Sequence, residues 1–557
     1  MSLLTDPVIA LFISLALGHL IGRIRVGNVA LGGVCGTLFV ALAIGQLGVS
    51  ISADLQNTAF ALFIYALGVS AGPQFFDNIR GGWRYGIFSL IEAGSVLVMV
   101  TAAALLFGFD AGTSAGLFAG AATESAVVGT ASEALGRLDL PTEEILRLQA
   151  NTATAYSLTY LFGLVSIVVF TTQIAPLLLR INLRAEAVAL ASRLGAPDAG
   201  DEQLDALPGF VGRAFLAGPA AGMSVDDFER SRNRTVFIQR IRRGDDLIAP
   251  TGPEMIAEGD LLILHGRRHA VIAAINAVGP EQPVPEEVSV PMARRDVLIN
   301  RREVDGMHIR DLRAAAPAEL ARGLFIESVR RMGQTIPALP KTKLQRGDIV
   351  TLYGPEAAIA RAAKGLGAPL SASDATDFVF LGLGVLVGLL IGRLSAQIWG
   401  IEVTLGTGGG ALIAGLAFGW LNMRRPRHGN LPVAAAEFMK DFGLATFIAA
   451  IGLRAGPDAV ALVREYGLIL PLLGILVSVV PAIISLWVGW KLMKIDAPIL
   501  LGIIAGQHCS TPTITALVGQ AGNSTPVIGY TVTYAISNVL LPLLGPVIVG
   551  LSRLTGS

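Results

Sequence analysis

The sequence predicts a polytopic α-helical membrane protein: two inverted-topology repeats, each with a re-entrant hairpin, on either side of a central soluble α+β block. Three observations predict it. Of 557 residues, 53% are hydrophobic and only 15% charged, whereas a soluble globular chain approaches a quarter charged. Most of the chain therefore belongs in lipid. The charge is unevenly placed, because residues 184–372 hold 25 of the 42 Lys and Arg and 24 of the 42 Asp and Glu. That separates a soluble block from two membrane regions. Finally, short motifs of the first third return in the same order in the last third.

The first apolar run, 7–22, has no Lys or Arg before it, unlike a signal peptide, and Arg23 and Arg25 follow it. Basic residues mark cytoplasmic turns, so the N-terminus is expected outside. Further runs cover 29–49, 57–73, 85–109, 112–135 and 151–179, with Arg80 and Arg84 after the third and Arg180 and Arg184 at the end. Six full crossings would return the soluble block to the outside, against those arginines. One run must enter and leave on the same side. The run 112–135 fits, being rich in small residues, broken by glycines and carrying Glu124 at its middle. Irregular backbone is tolerated at membrane depth only where protein or water covers it.

Gly18-His-Leu-Ile-Gly-Arg-Ile24 recurs as Gly388-Leu-Leu-Ile-Gly-Arg-Leu394, and Ala66-Leu-Gly-Val-Ser-Ala-Gly-Pro73 as Ala450-Ile-Gly-Leu-Arg-Ala-Gly-Pro457. Gly116-Leu-Phe-Ala-Gly120 matches Gly502-Ile-Ile-Ala-Gly506, and Ala155-Tyr-Ser-Leu-Thr-Tyr160 matches Gly529-Tyr-Thr-Val-Thr-Tyr534. Membrane repeats 1–183 and 373–557 follow. The second copy begins on the cytoplasmic side, with Met423-Arg-Arg-Pro-Arg-His428, Lys491 and Lys494 at cytoplasmic turns, so it is inverted relative to the first. Its hairpin, 498–521, enters from the opposite face, and both termini lie outside. Inverted repeats with paired broken segments mark a secondary transporter, whose substrate site lies near the midplane between repeats.

The hairpin tips are the candidate substrate site. Thr123, Glu124 and Ser125 align with Cys509, Ser510 and Thr511, and Pro512 breaks the second hairpin. Freed backbone groups and half-helix N-termini there favour an anionic group. Hydroxyls in membrane helices also simply bond back within the helix. A carboxylate at membrane depth is costly and by default functional, so Glu124 is expected to hold a substrate ammonium, a proton or a cation. Arg454, in the place of Ser70, can clamp a carboxylate or extend to the interface. His508 is either a site residue or packed, and Tyr156 and Tyr530, in the spans after the hairpins, either line the path or pack.

Several functions are excluded. Net charge is zero, so no basic field points to nucleic acid. Cys35 and Cys509, the two cysteines, build neither a disulfide framework nor a metal cluster. No metal or cofactor is expected. Gly68-Val-Ser-Ala-Gly72 copies a hydrolase nucleophile pattern, but it ends a membrane span rather than a strand, and Arg454 replaces its serine in the second copy. An enzyme is not expected.

After a linker at 184–208, two segments share one layout. Val236–Gly244 leads to Glu258-Gly-Asp-Leu-Leu-Ile-Leu-His-Gly266, and Leu324–Gly333 leads to Arg346-Gly-Asp-Ile-Val-Thr-Leu-Tyr-Gly354. Alternating β-rich runs, each followed by a helical one, indicate two α+β modules at 209–280 and 281–372. Arg240, Arg242 and Arg243 read as a solvated strand face.

On these motifs, the duplicated halves resemble the aspartate:alanine exchanger family of bacterial secondary carriers. The central pair resembles the TrkA-C modules of potassium-conductance regulators. The resemblance implies exchange of small carboxylates, either amino acids such as aspartate and alanine or dicarboxylates such as succinate. It further implies an inner-membrane homodimer of elevator type, with a cytoplasmic block open to regulation by a nucleotide or other small ligand. The second tip, Cys509-Ser-Thr-Pro512, carries the family's tip pattern, whereas the first reads Ala122-Thr-Glu-Ser-Ala126. The residues alone leave open a cation or proton antiporter regulated by the central modules, and a membrane sensor.

Overall fold

The computed structural model describes residues 5–555 except 27–28, 31, 82, 196–209, 233–234, 284–291, 317–322, 371–375, 399–400 and 425–430. The basic turn at 425–428 and most of the linker at 184–208 thus lie outside the described residues. One compact unit comprises Met1–Leu190, Arg331–Ile336 and Ala372–Ser557, and the other Ala191–Arg330 and Pro337–Ser371.

In chain order the first unit opens with α1 (Pro7–Gly22), a ribbon of β1 (Arg25–Val26) and β2 (Val29–Ala30), and α2 (Gly33–Gly45). Next come α3 (Ala53–Gly81), α4 (Trp83–Phe107), the short helices α5 (Ala111–Ala121) and α6 (Ser125–Gly136), and α7 (Thr142–Val169). A single π turn at Phe170–Ile174 carries α7 into α8 (Ala175–Leu179), and α9 (Leu183–Arg193) follows. Within the run 112–135, α5 stops at Ala121 and α6 starts at Ser125, with three residues between them.

The central block holds two five-stranded antiparallel sheets of the same design. The first contains β3 (Phe210–Leu216), α10 (Val225–Ser231), β4 (Val236–Arg243), β5 (Asp246–Ile248), β6 (Leu261–Arg267), α11 (Arg268–Ala273), α12 (Ile275–Val278) and β7 (Glu281–Gln282). The second contains β8 (Met292–Ile299), α13 (Ile309–Ala315), β9 (Phe325–Arg331), β10 (Gln334–Ile336), β11 (Ile349–Pro355), α14 (Glu356–Leu366) and β12 (Gly367–Pro369). Strand orders are β5-β4-β6-β3-β7 and β10-β9-β11-β8-β12, identical once matched in sequence. The repeated Gly-Asp turns explain the repeated motif. Gly259 and Gly347 take φ of +83° and +89°, open to glycine at little cost. Asp260 and Asp348 then accept the amide three residues back, from Ala257 at 2.9 Å and Gln345 at 2.8 Å. Arg243 is not merely solvated: its Nε and Nη2 clamp the Asp260 carboxylate, both at 2.9 Å.

The last third repeats the plan of the first. It runs α15 (Phe378–Gly392), the ribbon β13 (Ser395–Ile398) and β14 (Ile401–Thr404), α16 (Gly406–Arg424), α17 (Val433–Tyr466), α18 (Ile469–Trp487), then short α19 (Ala497–Gln507) and α20 (Thr511–Ala521). It closes with α21 (Val527–Leu543) and α22 (Gly545–Thr555). The first helix of each third starts on an aspartate cap: Asp6 accepts from the amides of Val8 and Ile9, and Asp377 from those of Val379 and Phe380. Among the described residues, five helical segments are long and apolar enough to cross a membrane.

Lipid gives helices no hydrophobic reason to associate, so close approach through small residues must supply the contact. The repeated glycines do this in matched places. A Cβ on Gly36 would lie 2.0 Å from the Gly18 carbonyl oxygen, and one on Gly410 2.1 Å from that of Gly388, so α2 seats on α1 and α16 on α15. The halves then exchange partners. A Cβ on Gly45 would lie 2.3 Å from the Leu453 carbonyl oxygen, and one on Gly419 2.2 Å from that of Val69. Hence α2 packs on α17 and α16 on α3, a reciprocal four-helix centre in which each half completes the other.

Two expectations follow. Gly410→Ala lowers the thermal stability of the purified protein by the equivalent of about 1–3 kcal/mol of overpacking. Gly94→Ala, with nothing within 4 Å of the new Cβ, leaves it unchanged. In the central block, burial under Phe237 pushes the His265 imidazole down from 6.5 to about 4. The native state therefore binds fewer protons than the unfolded chain between those values, and stability is full above pH 6.5 and falls as the pH drops toward 4. Hydrogen exchange on β6 should show a loss of about 2 kcal/mol between pH 7 and pH 5, removed by His265→Leu.

Candidate functional site

Helix α5 ends in a two-bond motif: the Thr123 amide donates to the Gly120 carbonyl at 3.1 Å and the Glu124 amide to the Ala119 carbonyl at 2.9 Å. Helix α19 ends identically, with Cys509 to Gly506 at 3.0 Å and Ser510 to Ala505 at 3.1 Å. This ending normally places glycine at the left-handed position. Here that position is Thr123 in one tip and Cys509 in the other, both at φ 51°. Each costs of order 1 kcal/mol and persists only where surrounding structure holds it. The next residue caps the returning helix. Glu124 accepts from the Ala126 amide at 3.0 Å, and Ser510 from that of Thr513 at 3.3 Å. Pro512 sits in the first turn of α20, where a missing N–H costs nothing.

Each strained residue spends its side chain on the opposite tip. The Thr123 hydroxyl donates to the carbonyl oxygen of His508, and the Cys509 thiol lies against the Glu124 carboxyl. The tips meet away from solvent, with Thr123, Glu124, His508 and Ser510 all buried. Ser125, the first residue of α6, is half-buried beside them.

The spans behind the tips are matched as well. Tyr156 packs against Tyr160 with the rings tilted by 45° and 5.3 Å between centroids, and Tyr530 stacks on Tyr534 at 4.9 Å. The Tyr530 hydroxyl reaches Thr511 Oγ1 at 3.4 Å, which brings the second aromatic pair to its tip. Thr159 and Thr533 are packing devices: they bond backbone carbonyls of their own helix and of the tip arm beside it, Gly116 at 3.3 Å and Ile503 at 2.9 Å.

Sequence reasoning missed Glu92 on α4. It is fully buried, accepts from Gln507 Nε2 at 2.9 Å and faces His508 Nδ1 at 3.1 Å, the latter too far off line to count as a hydrogen bond. It is the one acidic residue of the 85–109 run, so the criterion that singled out Glu124 also finds it. The network continues through Ser485, which donates to Gln507 Oε1 at 2.8 Å, and Ser478 on α18, which donates to the Ala121 carbonyl at 2.7 Å.

Arg454 is not drawn into this cluster. Its Nη2 donates to the Ile51 carbonyl at 3.1 Å, and it lines a cleft of about 360 Å³ with Gln56, Asn57, Ser132, Glu133 and Arg137. Glu133 is already engaged there, by the amides of Thr407 and Gly408 at 2.5 and 3.0 Å and by Arg137 at 2.7 Å.

A family model described as a predicted permease membrane region matches residues 10–176 and 380–550, the two helical thirds. The chain belongs to the aspartate–alanine exchanger family of permeases. It is a multi-pass membrane transporter and not an enzyme. A TrkA-C domain model matches 294–367, the second central module, and the first shares its strand order. An uncharacterized transporter of Zymomonas mobilis is 39% identical over 553 residues, 98% of each chain. Others from Bradyrhizobium diazoefficiens and Francisella tularensis are 37% and 35% identical over at least 97% of each chain.

Thr123→Val removes the hydroxyl at constant shape and leaves the His508 carbonyl buried and unpaired. It is expected to lower thermal stability by the equivalent of about 1–3 kcal/mol, and Thr123→Ser to retain most of it.

Proposed function

We propose that this permease is a secondary carrier exchanging small carboxylates, amino acids such as aspartate and alanine or dicarboxylates such as succinate, at the meeting point of the two tips. One observation carries the reading: two broken helices with the same strained geometry, each held by a side chain from the other. A substrate entering between them replaces those cross-tip contacts. Its carboxylate meets the N-terminal turns of α6 and α20 with the hydroxyls of Ser125, Ser510 and Thr511, beside Pro512. An ammonium meets Glu124 and the Cys509 thiol. Tyr156 and Tyr530 wall the site, and His508 closes it from behind. Arg454, in its own cleft, receives a carboxylate on the way in or out.

The arginine turns and the parity of the spans support an inverted arrangement, in which each broken pair is a re-entrant hairpin and both termini lie outside. The repeats 1–183 and 373–557 then move against each other in elevator fashion within an inner-membrane homodimer. The modules at 209–280 and 281–372, reached through the 184–208 linker, form a cytoplasmic regulatory block that takes a nucleotide or other small ligand.

Counterflow in proteoliposomes tests this: labelled aspartate or succinate should accumulate only when unlabelled substrate is inside. Thr511→Ala is expected to weaken affinity about tenfold, as for one hydroxyl bonded to a carboxylate. It is a cleaner probe than Ser510→Ala, which also removes a helix cap worth about 1 kcal/mol. Glu124→Gln should abolish amino-acid exchange while sparing a dicarboxylate, since only the former loses a charge partner. Wild-type kinetics in both variants for both substrates would place the site elsewhere.

A further inference from the structure

We propose that Glu92 and His508 together form a proton-binding site that loads one proton when the tips are together. Burial and polar neighbours dictate the count. His508 Nε2 lies 2.9 Å from the Ser478 carbonyl oxygen, which can only accept, so this nitrogen carries a hydrogen. Nδ1 lies 3.1 Å from Glu92 Oε2. A neutral imidazole protonated at Nε2 presents a lone pair there, and a carboxylate presents only lone pairs. The contact is off line for a hydrogen bond, so charge sets the requirement: among the described residues this imidazole is the one cationic partner within reach of the fully buried carboxylate, which is compensated only by a proton held on one of the two. Imidazolium beside carboxylate and imidazole beside carboxylic acid are its two forms, and both hold one proton more than imidazole plus carboxylate.

Neighbouring groups neither supply that proton nor replace it. Gln507 is oriented by Ser485, which donates to its Oε1, so its Nε2 donates to Glu92 Oε2 and already satisfies that oxygen once. Titratable and charged groups on the surrounding elements are Arg84 and Tyr85 on α4, Glu124 and Cys509 at the tips, Tyr530 and Tyr534 on α21, and Lys491 beyond α18. Among the described residues only Glu92 lies within ion-pair distance of the imidazole. Glu92, His508, Gln507, Ser478 and Ser485 have no solvent-exposed surface, and removing the proton would leave an uncompensated buried charge.

His508 also joins this site to the gate. Its carbonyl receives the Thr123 hydroxyl from the first tip, while its ring faces Glu92 on α4. If the second tip parts from the first and from α4, the imidazole and carboxylate meet water, which solvates the carboxylate charge and removes the need for the shared proton. Closing the tips then takes up one proton and opening them releases it. This coupling rests on the proposed site between the tips, whereas the proton count does not.

Two measurements keep these apart. Potentiometric titration of the purified full-length protein at pH 7.5 should show wild type binding one proton more per chain than Glu92→Gln. The introduced amide can donate to Nδ1 of a neutral imidazole, so the variant keeps its packing, and an ordinary exposed glutamate contributes no proton at that pH. A difference of zero overturns the site. In proteoliposomes, exchange of labelled aspartate or succinate by wild type should slow about tenfold per pH unit above the release point, and Glu92→Gln should be flat. A flat wild-type profile, or one that Glu92→Gln leaves unchanged, overturns the coupling. If neither probe is exchanged at any pH, the proposed substrates fail while the titration still decides the proton site.

Discussion

An interior without free water must satisfy every backbone N–H and C=O from within, and breaking a helix there exposes several at once. The fold breaks two, at the same place in each half, and much of the surrounding structure answers that cost. The ends of α5 and α19 bond themselves through identical two-bond closures. What closes each tip is then a non-glycine residue in a glycine conformation, Thr123 or Cys509. The energy that holds those residues comes from across the gap, from the His508 carbonyl and the Glu124 carboxyl. Neither tip is complete alone, so separating them weakens both.

The close seats of the helices follow from the same environment. With no hydrophobic drive toward association, packing depends on the distance at which backbones can meet, and glycines at Gly36, Gly45, Gly410 and Gly419 set it. Because α2 packs on α17 and α16 on α3, the halves are interlocked rather than side by side. The tip arms use the same device. A Cβ on Gly120 would lie 1.9 Å from Thr159 Oγ1, and one on Gly506 2.3 Å from Thr533 Oγ1, which fixes each tip to the span that follows it.

Behind the second tip, the buried polar groups of α4, α18 and α19 form one connected cluster. Ser478 serves both tips, donating to the Ala121 carbonyl at the end of α5 and accepting from His508 through its own carbonyl. A network of this kind is stable only when each member is satisfied, so a change in proton occupancy at Glu92 is felt at the tip contact.

Order and local geometry were legible from the chain itself. The membrane–soluble–membrane plan follows from where charge is absent, and the duplication from motifs whose glycines and prolines act locally. The helix breaks at 122–124 and 508–510 lie within the runs read as interrupted, because the signals that end a helix are short-range. Family membership followed from the same motifs. Partner choice was not legible, since nothing in the period of a helix states which neighbour it faces. The seating of α2 on α17, the removal of Arg454 to a cleft beside Glu133 and Arg137, and the bond from Thr123 to His508 each join residues hundreds of positions apart. Glu92 shows the division most plainly. Its cost at membrane depth is written in the sequence, but its meaning depends on the imidazole that the tertiary fold brings beside it from the other half.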